Sequence, residues 1–273
     1  MYISFQLLEG DLLIDHEQEV ANIFNSYFNT ITNSLNIPVW SNGINGDFDS
    51  SSLDSIVKHY SNHPSIKVIK QKFSQQHFNF SQVSADQVQN VIRSLNISKA
   101  VSGKIPVKLL KLAETQCAPI LASHFNTALQ TGEFPTELKL ADIVPVHKKD
   151  DMLDKSNYRP ISLLPTISKV FERIMANQML PYIETFLSKF LCGFRKGHST
   201  QHALLNMLRR WQHHLSKGNK VGALLMDLSK AFDCLSHELL IAKLEAYGFK
   251  SESLKLIHSY LFKRRHRVRF VNF

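Results

Sequence analysis

The sequence lacks the features that mark secreted and membrane-spanning proteins. It contains no apolar run of about 18 residues and no signal-peptide pattern. Cysteine is scarce as well: the three cysteines, Cys117, Cys192 and Cys234, are odd in number and do not have the spacing of metal ligands. We therefore expect a soluble intracellular protein with reduced thiols, located in the cytoplasm or the nucleus.

Acidic residues are rare beyond residue 60. The first 60 residues carry eight acids and one lysine, a net charge of −7, whereas the rest of the chain carries 15 acids and 31 bases, a net charge of +16. A body this basic favours a polyanionic partner such as nucleic acid, because lysine and arginine contact phosphates and release their counterions. With 273 residues, 44% of them hydrophobic, the chain can form one large domain or two small ones.

Apolar residues recur at helical spacing over much of the chain. The pattern predicts helices over residues 17–35, 85–95, 99–132 (with a break at 103–106), 166–187, 200–217, 236–247 and 251–262. Ser84 and Gln87 form a capping-box pattern, and Ser236 and Ser251 stand at expected N-cap positions. In the helix at 200–217 we expect an inward apolar face made of Leu204, Leu205, Leu208, Trp211 and Leu215.

Shorter segments have strand character. Residues 141–147 and 160–164 are apolar and flank the polar run DDMLDKSN, which predicts a β-hairpin. Residues 220–227 form another apolar strand candidate, and residues 267–271 alternate charged and apolar side chains as a half-buried strand does. The composition of residues 41–52 predicts a loop that serves as a linker. Helices and strands that mix without strict alternation predict an α+β fold.

One acidic residue stands at the end of an apolar run. The run begins at Val221 and ends at Asp227, and Phe232 and Asp233 follow closely. A charge at the end of a buried strand is costly unless a metal ion or a partner compensates it, so Asp227 is a candidate metal ligand. The alternative is an aspartate that caps the turn after the strand.

The segment from Val221 to Asp233 resembles the first catalytic motif of reverse transcriptases from non-LTR (LINE-type) retrotransposons. Further segments resemble other motifs of that family in the family's order: residues 25–28, 98–106, 144–148, 156–164 and 192–200. The resemblance covers most of the chain, from about residue 15 onward. It departs from the family at Val101–Lys104, where family members have a proline-glycine-aspartate-glycine turn.

The resemblance implies roles for single residues in template-directed, two-metal nucleotidyl transfer. It implies that Asp227 is catalytic and binds Mg²⁺ together with the backbone carbonyl of Leu228. Lys148 and Arg159 would bind the incoming nucleoside triphosphate, and Phe232 would crowd the sugar 2′-position and favour deoxynucleotides. The implied partners are an RNA template, a DNA primer and deoxynucleoside triphosphates. The alternatives are that Lys148 is a solvated loop lysine, that Arg159 is a structural arginine and that Phe232 packs in the core.

Two basic segments are candidates for nucleic-acid binding. The candidate residues are Arg195, Lys196, Arg264, Arg265, Arg267 and Arg269. The first two lie in a Gly-Phe-Arg motif before a helix N-terminus, where backbone amides can approach a phosphate. The alternatives are an ordinary loop there, and a solvated basic surface or nuclear-localisation-like patch in the second segment. His198 and His202 have the spacing of a metal pair, but no acidic or cysteine companion is nearby.

The resemblance also implies an architecture. Residues 1–60 would form an N-terminal helix and linker, residues 61–218 the helix-rich fingers around the β-hairpin, and residues 219–273 the start of an incomplete antiparallel palm sheet of a right-hand polymerase. The paired-aspartate turn of the family is not in this sequence. We therefore expect no polymerase activity from this chain alone. Two alternatives stay open: a non-catalytic nucleic-acid-binding remnant, and the product of a decayed element.

Overall fold

The computed structural model of the protein describes residues 5–32, 49–73, 77–103, 105–228 and 230–270. These residues form helices and two small sheets, which confirms the predicted α+β class. Two compact units are present: residues 1–178 with 232–273, and residues 179–231. The domain boundaries implied by the resemblance, at residues 60 and 218, stay predictions. None of the helices in the described ranges is both long and apolar enough for a membrane span.

Ten α-helices lie in the described ranges. They are α1 (Glu17–Thr30), α2 (Leu53–Tyr60), α3 (Pro64–Phe73), α4 (Ala85–Ser94), α5 (Val107–Leu112), α6 (Glu114–Thr131), α7 (Thr166–Glu184), α8 (Thr200–Leu215), α9 (His237–Ala246) and α10 (Ser251–Leu261). Each predicted helical segment contains a helix, and α2 and α3 are additional.

The helix predicted from residue 99 is wrong before the break at 103–106, because residues 99–103 are not helical and α5 begins at Val107. The end of the first predicted helix, residues 33–35, lies outside the described residues. The linker predicted at 41–52 lies outside the described residues up to residue 48.

Helix caps follow the local sequence in two cases of three. The Ser84 hydroxyl accepts from the Gln87 amide, and the Gln87 side chain accepts from the Ser84 amide, so the predicted capping box is present. The Ser236 hydroxyl accepts from the Leu239 amide, as an N-cap does. The prediction for Ser251 is wrong, because Lys250 is the N-cap residue and Ser251 is already helical.

The larger sheet has three strands in the order β4-β3-β5. Strand β3 (Leu140–His147) pairs antiparallel with β4 (Tyr158–Leu163), which confirms the predicted hairpin. Strand β5 (Arg265–Val268) begins two residues before the predicted strand at 267–271, whose last residue lies outside the described residues. It pairs parallel with β3, so the antiparallel sheet expected for residues 219–273 is wrong for this strand. A separate hairpin joins β1 (Leu7–Glu9) and β2 (Leu12–Ile14).

The predicted strand at 220–227 is wrong. Residues 219–228 form neither helix nor strand, and residues 221–228 are exposed. A strand needs a neighbour for its backbone N–H and C=O groups, and no described residue pairs with this segment. The inward apolar face predicted for α8, which belongs to the same second unit, is also wrong. Leu204, Leu205, Leu208 and Leu215 are exposed, and Trp211 is half-buried.

Two clusters of buried side chains in the described part of the first unit bear on the sheet and on the packing of α6 with α7. One core covers one face of the three-stranded sheet with side chains from β1 and α1, namely Leu7, Val20, Phe24 and Phe28, packed with Ile143 and Tyr158 of the sheet. The other core contains three aromatic rings: Phe171 of α7 stacks on Phe125 of α6 with ring centroids 4.4 Å apart, and on Phe134 at 5.2 Å. The first core leaves the opposite face of the sheet to carry the candidate site.

Gly132 ends α6 in a left-handed conformation, with φ of +73°. A Cβ added there would lie 2.7 Å from the Lys255 Cβ and 3.2 Å from the Glu252 carbonyl oxygen. We expect Gly132→Ala to lower the free energy of unfolding by more than about 1 kcal/mol, measured by urea denaturation. Gly10→Ala is the control, because Gly10 also has a positive φ but open space around its Cα. Equal losses of unfolding free energy in the two variants would show that the close contacts of the added Cβ with Lys255 and Glu252 have no effect.

Candidate nucleotide and nucleic-acid site

Lys148 and Arg159 lie on the same face of the β3–β4 hairpin. Arg159 is paired with Val146 in the antiparallel register, so the two side chains share a face. The hairpin pairing continues past β3, because the Lys148 amide donates to the Asn157 carbonyl at 2.8 Å. Lys148 comes two residues after Val146 and therefore projects from that face too. The structure thus brings together two cations that are 11 residues apart in sequence.

Both cations are exposed and available to an anion. Neither the Lys148 ammonium nor the Arg159 guanidinium makes an ion pair with a residue in the described part of the chain. The neighbouring Lys149 differs in this respect, since its ammonium lies 3.5 Å from the Asp150 carboxylate. An ammonium and a guanidinium side by side suit phosphate oxygens, the first as a point charge and the second as a bidentate donor.

The arginines of β5 extend this face on the other side of β3. Arg267 is paired with Asp142 in the parallel register, and Arg269 follows two residues later on the same face. The Arg267 Nε donates to the Asp142 Oδ1 at 2.7 Å, and the Arg269 Nη1 lies 3.6 Å from the Asp142 Oδ2. The Ser102 hydroxyl donates to the Asp142 Oδ2 at 2.7 Å. Asp142 therefore has three partners from two other segments.

The Asp142 side chain stays ionised in spite of its burial. Burial by itself raises the pKa of a carboxyl group, but the hydrogen bonds from Arg267 and Ser102 and the charges of Arg267 and Arg269 outweigh it, so the pKa of Asp142 lies below its ordinary value. The residue was not among the candidates from the sequence. A signal was present, however, because an acid inside the apolar segment 141–147 requires a partner.

The other predicted nucleic-acid-binding residues differ in how their charges are used. Arg195 pairs with Glu184 and donates to the carbonyls of Ser188 and Leu191, both at 3.1 Å. Arg264 lies over the Tyr260 ring, with its guanidinium carbon 4.5 Å from the ring centroid, and donates to the Tyr260 carbonyl. Arg265 and Lys196 are exposed and make no ion pair with described residues. All four roles in nucleic-acid binding stay predictions.

Asp227 and Leu228 belong to the second unit and are exposed in a segment without regular structure. The expectation that Asp227 is a buried strand-end carboxylate is therefore wrong. Phe232 lies in a turn of the first unit and is 73% exposed, so the alternative of a core phenylalanine does not apply. Among the described residues, no three His, Cys, Asp or Glu side chains are grouped to hold a metal ion.

The segment at Asp227 and Leu228 offers the type of ligand that Mg²⁺ prefers but too few of them to fill its coordination. The Asp227 carboxylate and the Leu228 carbonyl offer the hard oxygen ligands that Mg²⁺ prefers. One side chain and one carbonyl do not complete the coordination of an ion that needs six ligands. Asp227 and Leu228 alone would therefore hold Mg²⁺ weakly, with water or substrate phosphates in the remaining positions.

Comparison with known proteins connects this arrangement to a family. Residues 146–272 match the family described as "Reverse transcriptase (RNA-dependent DNA polymerase)". The matched segment includes Lys148, Arg159, Asp227 and both arginines of the sheet face. The polar partners of those arginines, Asp142 and Ser102, lie upstream of it.

Relatives in Drosophila melanogaster extend the similarity. The chain is 32% identical over 195 residues to the RNA-directed DNA polymerase from mobile element jockey, covering 69% of this chain and 21% of that protein. It is 29% identical over 194 residues to the probable RNA-directed DNA polymerase from transposon BS, covering 70% and 21%, and 32% identical over 164 residues to that from transposon X-element, covering 59% and 18%. The chain spans about a fifth of the length of the curated relatives it matches.

Proposed function

Because the chain belongs to the reverse transcriptase family of non-LTR retrotransposons, we propose that it supplies the nucleotide-binding fingers of an RNA-directed DNA polymerase. One observation carries this proposal: Lys148 and Arg159 project from the same face of a hairpin inside the matched segment, without ion-pair partners among the described residues. The proposed ligand is a deoxynucleoside triphosphate, and the proposed macromolecular partners are an RNA template and a DNA primer.

Each cation has a separate part in this proposal. Lys148 neutralises phosphate oxygens as a compact charge, and Arg159 fixes the triphosphate in one orientation through two parallel hydrogen bonds. Charge moves toward the leaving pyrophosphate during nucleotidyl transfer, so positioned cations stabilise the transition state more than the ground state. Phe232 is proposed to contact the sugar, where its ring disfavours a 2′-hydroxyl.

Asp227 and Leu228 are proposed to contribute one carboxylate and one carbonyl to a divalent metal site that other residues of a longer protein complete. The finer architecture belongs to the same proposal, with residues 61–218 as fingers and residues 219–273 as the start of a right-hand palm. The family similarity of residues 146–272 supports it. This chain alone is then expected to bind nucleotides and nucleic acid without extending a primer.

A second candidate function is nucleic-acid binding without catalysis. The observation that favours it is the β5 face, where Arg267 and Arg269 stay more than half exposed although both contact Asp142. Nonspecific binding to a polyanion requires only such cations. A nucleotide-binding measurement separates the two candidates, because a phosphate-backbone binder has no need to hold a single triphosphate tightly.

The substitution Arg159→Gln tests the nucleotide site. We expect the dissociation constant for a deoxynucleoside triphosphate to rise at least about 10-fold, because hydrogen bonds to charged groups contribute about 1.5–3 kcal/mol each. The measurement is a titration of the chain with a fluorescent deoxynucleoside triphosphate. Lys149→Gln is the matched control: it removes one charge beside Lys148, from a side chain already paired with Asp150. If the control weakens binding as much as Arg159→Gln, bulk charge and not the hairpin face holds the nucleotide.

A further inference from the structure

Asp142 is the one acid in the central strand of the three-stranded sheet, and it is 2% exposed. Removing a carboxylate from water is costly, so such a residue persists only where other groups compensate it. Its two oxygens are both engaged, Oδ1 by Arg267 and Oδ2 by Ser102 and Arg269. Replacing a buried ion pair by apolar residues of similar volume is often neutral or stabilising, so the carboxylate calls for a reason other than stability.

The charges of the cluster do not cancel. One buried carboxylate faces two guanidinium groups, so the cluster keeps one net positive charge. The side chains of Arg267 and Arg269 remain 56% and 58% exposed, against 3% for Asp142. Arg267 donates from its Nε to the Asp142 Oδ1, and its side chain is more than half exposed, so solvent still reaches part of the guanidinium. The carboxylate therefore holds the inner edge of the arginine and leaves the outer edge to solvent.

The anchored arginines continue the basic face of the hairpin. Along β3, Asp142 and its partner Arg267 mark one end of the face, and Lys148 marks the other, with Arg159 between them. Six residues of strand separate these ends, about 20 Å at 3.3 Å per residue. Val146 and Ile161 lie between the charged side chains and are each 44% exposed, whereas Val144 on the same face of the central strand is 7% exposed. This length exceeds one triphosphate and suits the repeated phosphates of a polynucleotide.

A loop from another part of the chain holds Asp142 in place. Besides its hydroxyl bond to Asp142, Ser102 donates its amide to the Leu164 carbonyl at 3.0 Å and forms a parallel bridge with Pro165. The loop is thereby held at the end of β4, and its Ser102 hydroxyl fixes the second carboxylate oxygen of Asp142.

We propose that Asp142 is a positioning residue that holds Arg267 and Arg269 in the orientation in which they bind the phosphate backbone of a single-stranded nucleic acid. Charge complementarity favours a polyanion, since four exposed cations lie on this face with one buried anion behind them. The single strand corresponds to the RNA template of the proposed function. The inference rests on the proposed function, because it assumes that this sheet face meets nucleic acid.

The direction in which the substitution Asp142→Asn changes RNA affinity tests the proposal. Asp142→Asn removes a negative charge from a basic face, and by charge alone it should tighten the binding of RNA. A positioning role predicts the opposite: the dissociation constant for a short labelled single-stranded RNA rises about 10-fold, the loss of one charge-assisted contact. Asp150→Asn is the matched control, because it makes the same charge change at an exposed position of the same hairpin and should tighten binding slightly.

Salt dependence gives a readout that loss of stability alone does not produce. We expect the slope of log affinity against log salt to become shallower by about one to two for Asp142→Asn, although its net charge has risen. A thermal melting curve of each variant establishes that it is still folded at the temperature of the binding assay. If Asp142→Asn does not fold, Arg269→Gln is compared with Arg265→Gln: both remove one arginine of the same strand segment, but only Arg269 contacts Asp142. Arg269→Gln should weaken RNA binding several-fold more than Arg265→Gln does.

The outcomes separate this inference from the proposed function. Weaker RNA binding by Asp142→Asn with a shallower salt slope supports the positioning role. Binding by Asp142→Asn that equals or exceeds that of Asp150→Asn overturns it, as do equal losses for Arg269→Gln and Arg265→Gln. If the unsubstituted chain binds no RNA at low salt, the nucleic-acid part of the proposed function fails and the inference fails with it.

Discussion

Replacing Asp227 by alanine in a longer protein that contains this segment should abolish template-directed primer extension. Asp227 is the acid of the segment that resembles the first catalytic motif, and it lies within the matched residues 146–272. Loss of a metal-ligand carboxylate removes several kcal/mol of transition-state stabilisation, which corresponds to a fall in rate of about 1,000-fold or more. The measurement is incorporation of deoxynucleotides on an RNA template with a DNA primer, in the presence of a divalent metal ion.

The control for that experiment is Asp233→Ala. Asp233 is six residues downstream, is also exposed and carries the same charge, but its position suits a cap or a salt bridge better than a metal site. We expect this variant to keep most of its activity. Activity that survives Asp227→Ala, or that is lost equally in both variants, would show that the carboxylate at residue 227 has no special part in the reaction.

The second large effect is on stability: Phe171→Ala should lower the free energy of unfolding by about 3–5 kcal/mol. Phe171 is fully buried and stacks on Phe125 and Phe134, so truncation leaves a cavity beside those two rings. Native domains have a total stability of only about 5–15 kcal/mol, so this change brings the first unit close to unfolding. Urea denaturation followed by circular dichroism measures the change.

Phe232→Ala provides the comparison, since it removes the same ring from a site that is 73% exposed. Surface substitutions usually change stability by less than about 0.5 kcal/mol. A loss at Phe171 no larger than the loss at Phe232 would mean that the three stacked rings do not form a core.

Local signals predicted the helices of this chain well. The Ser84–Gln87 capping box and the Ser236 cap depend on groups only three residues apart, which the sequence places side by side. The Ser251 prediction failed by one position, because Lys250 has the extended backbone of an N-cap and Ser251 is already helical. Helices α2 and α3 were missed, and their short amphipathic patterns, with only two buried residues each, are weak periodic signals.

Part of the candidate site was predicted because it, too, depends on residues that are close in the sequence. Lys148 and Arg159 belong to motifs that the sequence shows directly, and the hairpin register that aligns them follows from two apolar segments and a polar turn. The strand predicted before Asp227 did not form. An apolar run becomes a strand only when another strand pairs with it, and pairing depends on residues outside the run.

The sequence by itself determined the family, the helices, the hairpin and the excess of positive charge, because each of these depends on residues that are close in the chain or on motifs that can be read in order. Only the tertiary structure decided which charges are free. Asp142 meets Arg267 across 125 positions because β3 pairs in parallel with β5, and it meets Ser102 across 40 positions because the loop of Ser102 bridges to the end of β4. Ion pairs and exposure arise from packing between distant segments, and no local pattern contains them.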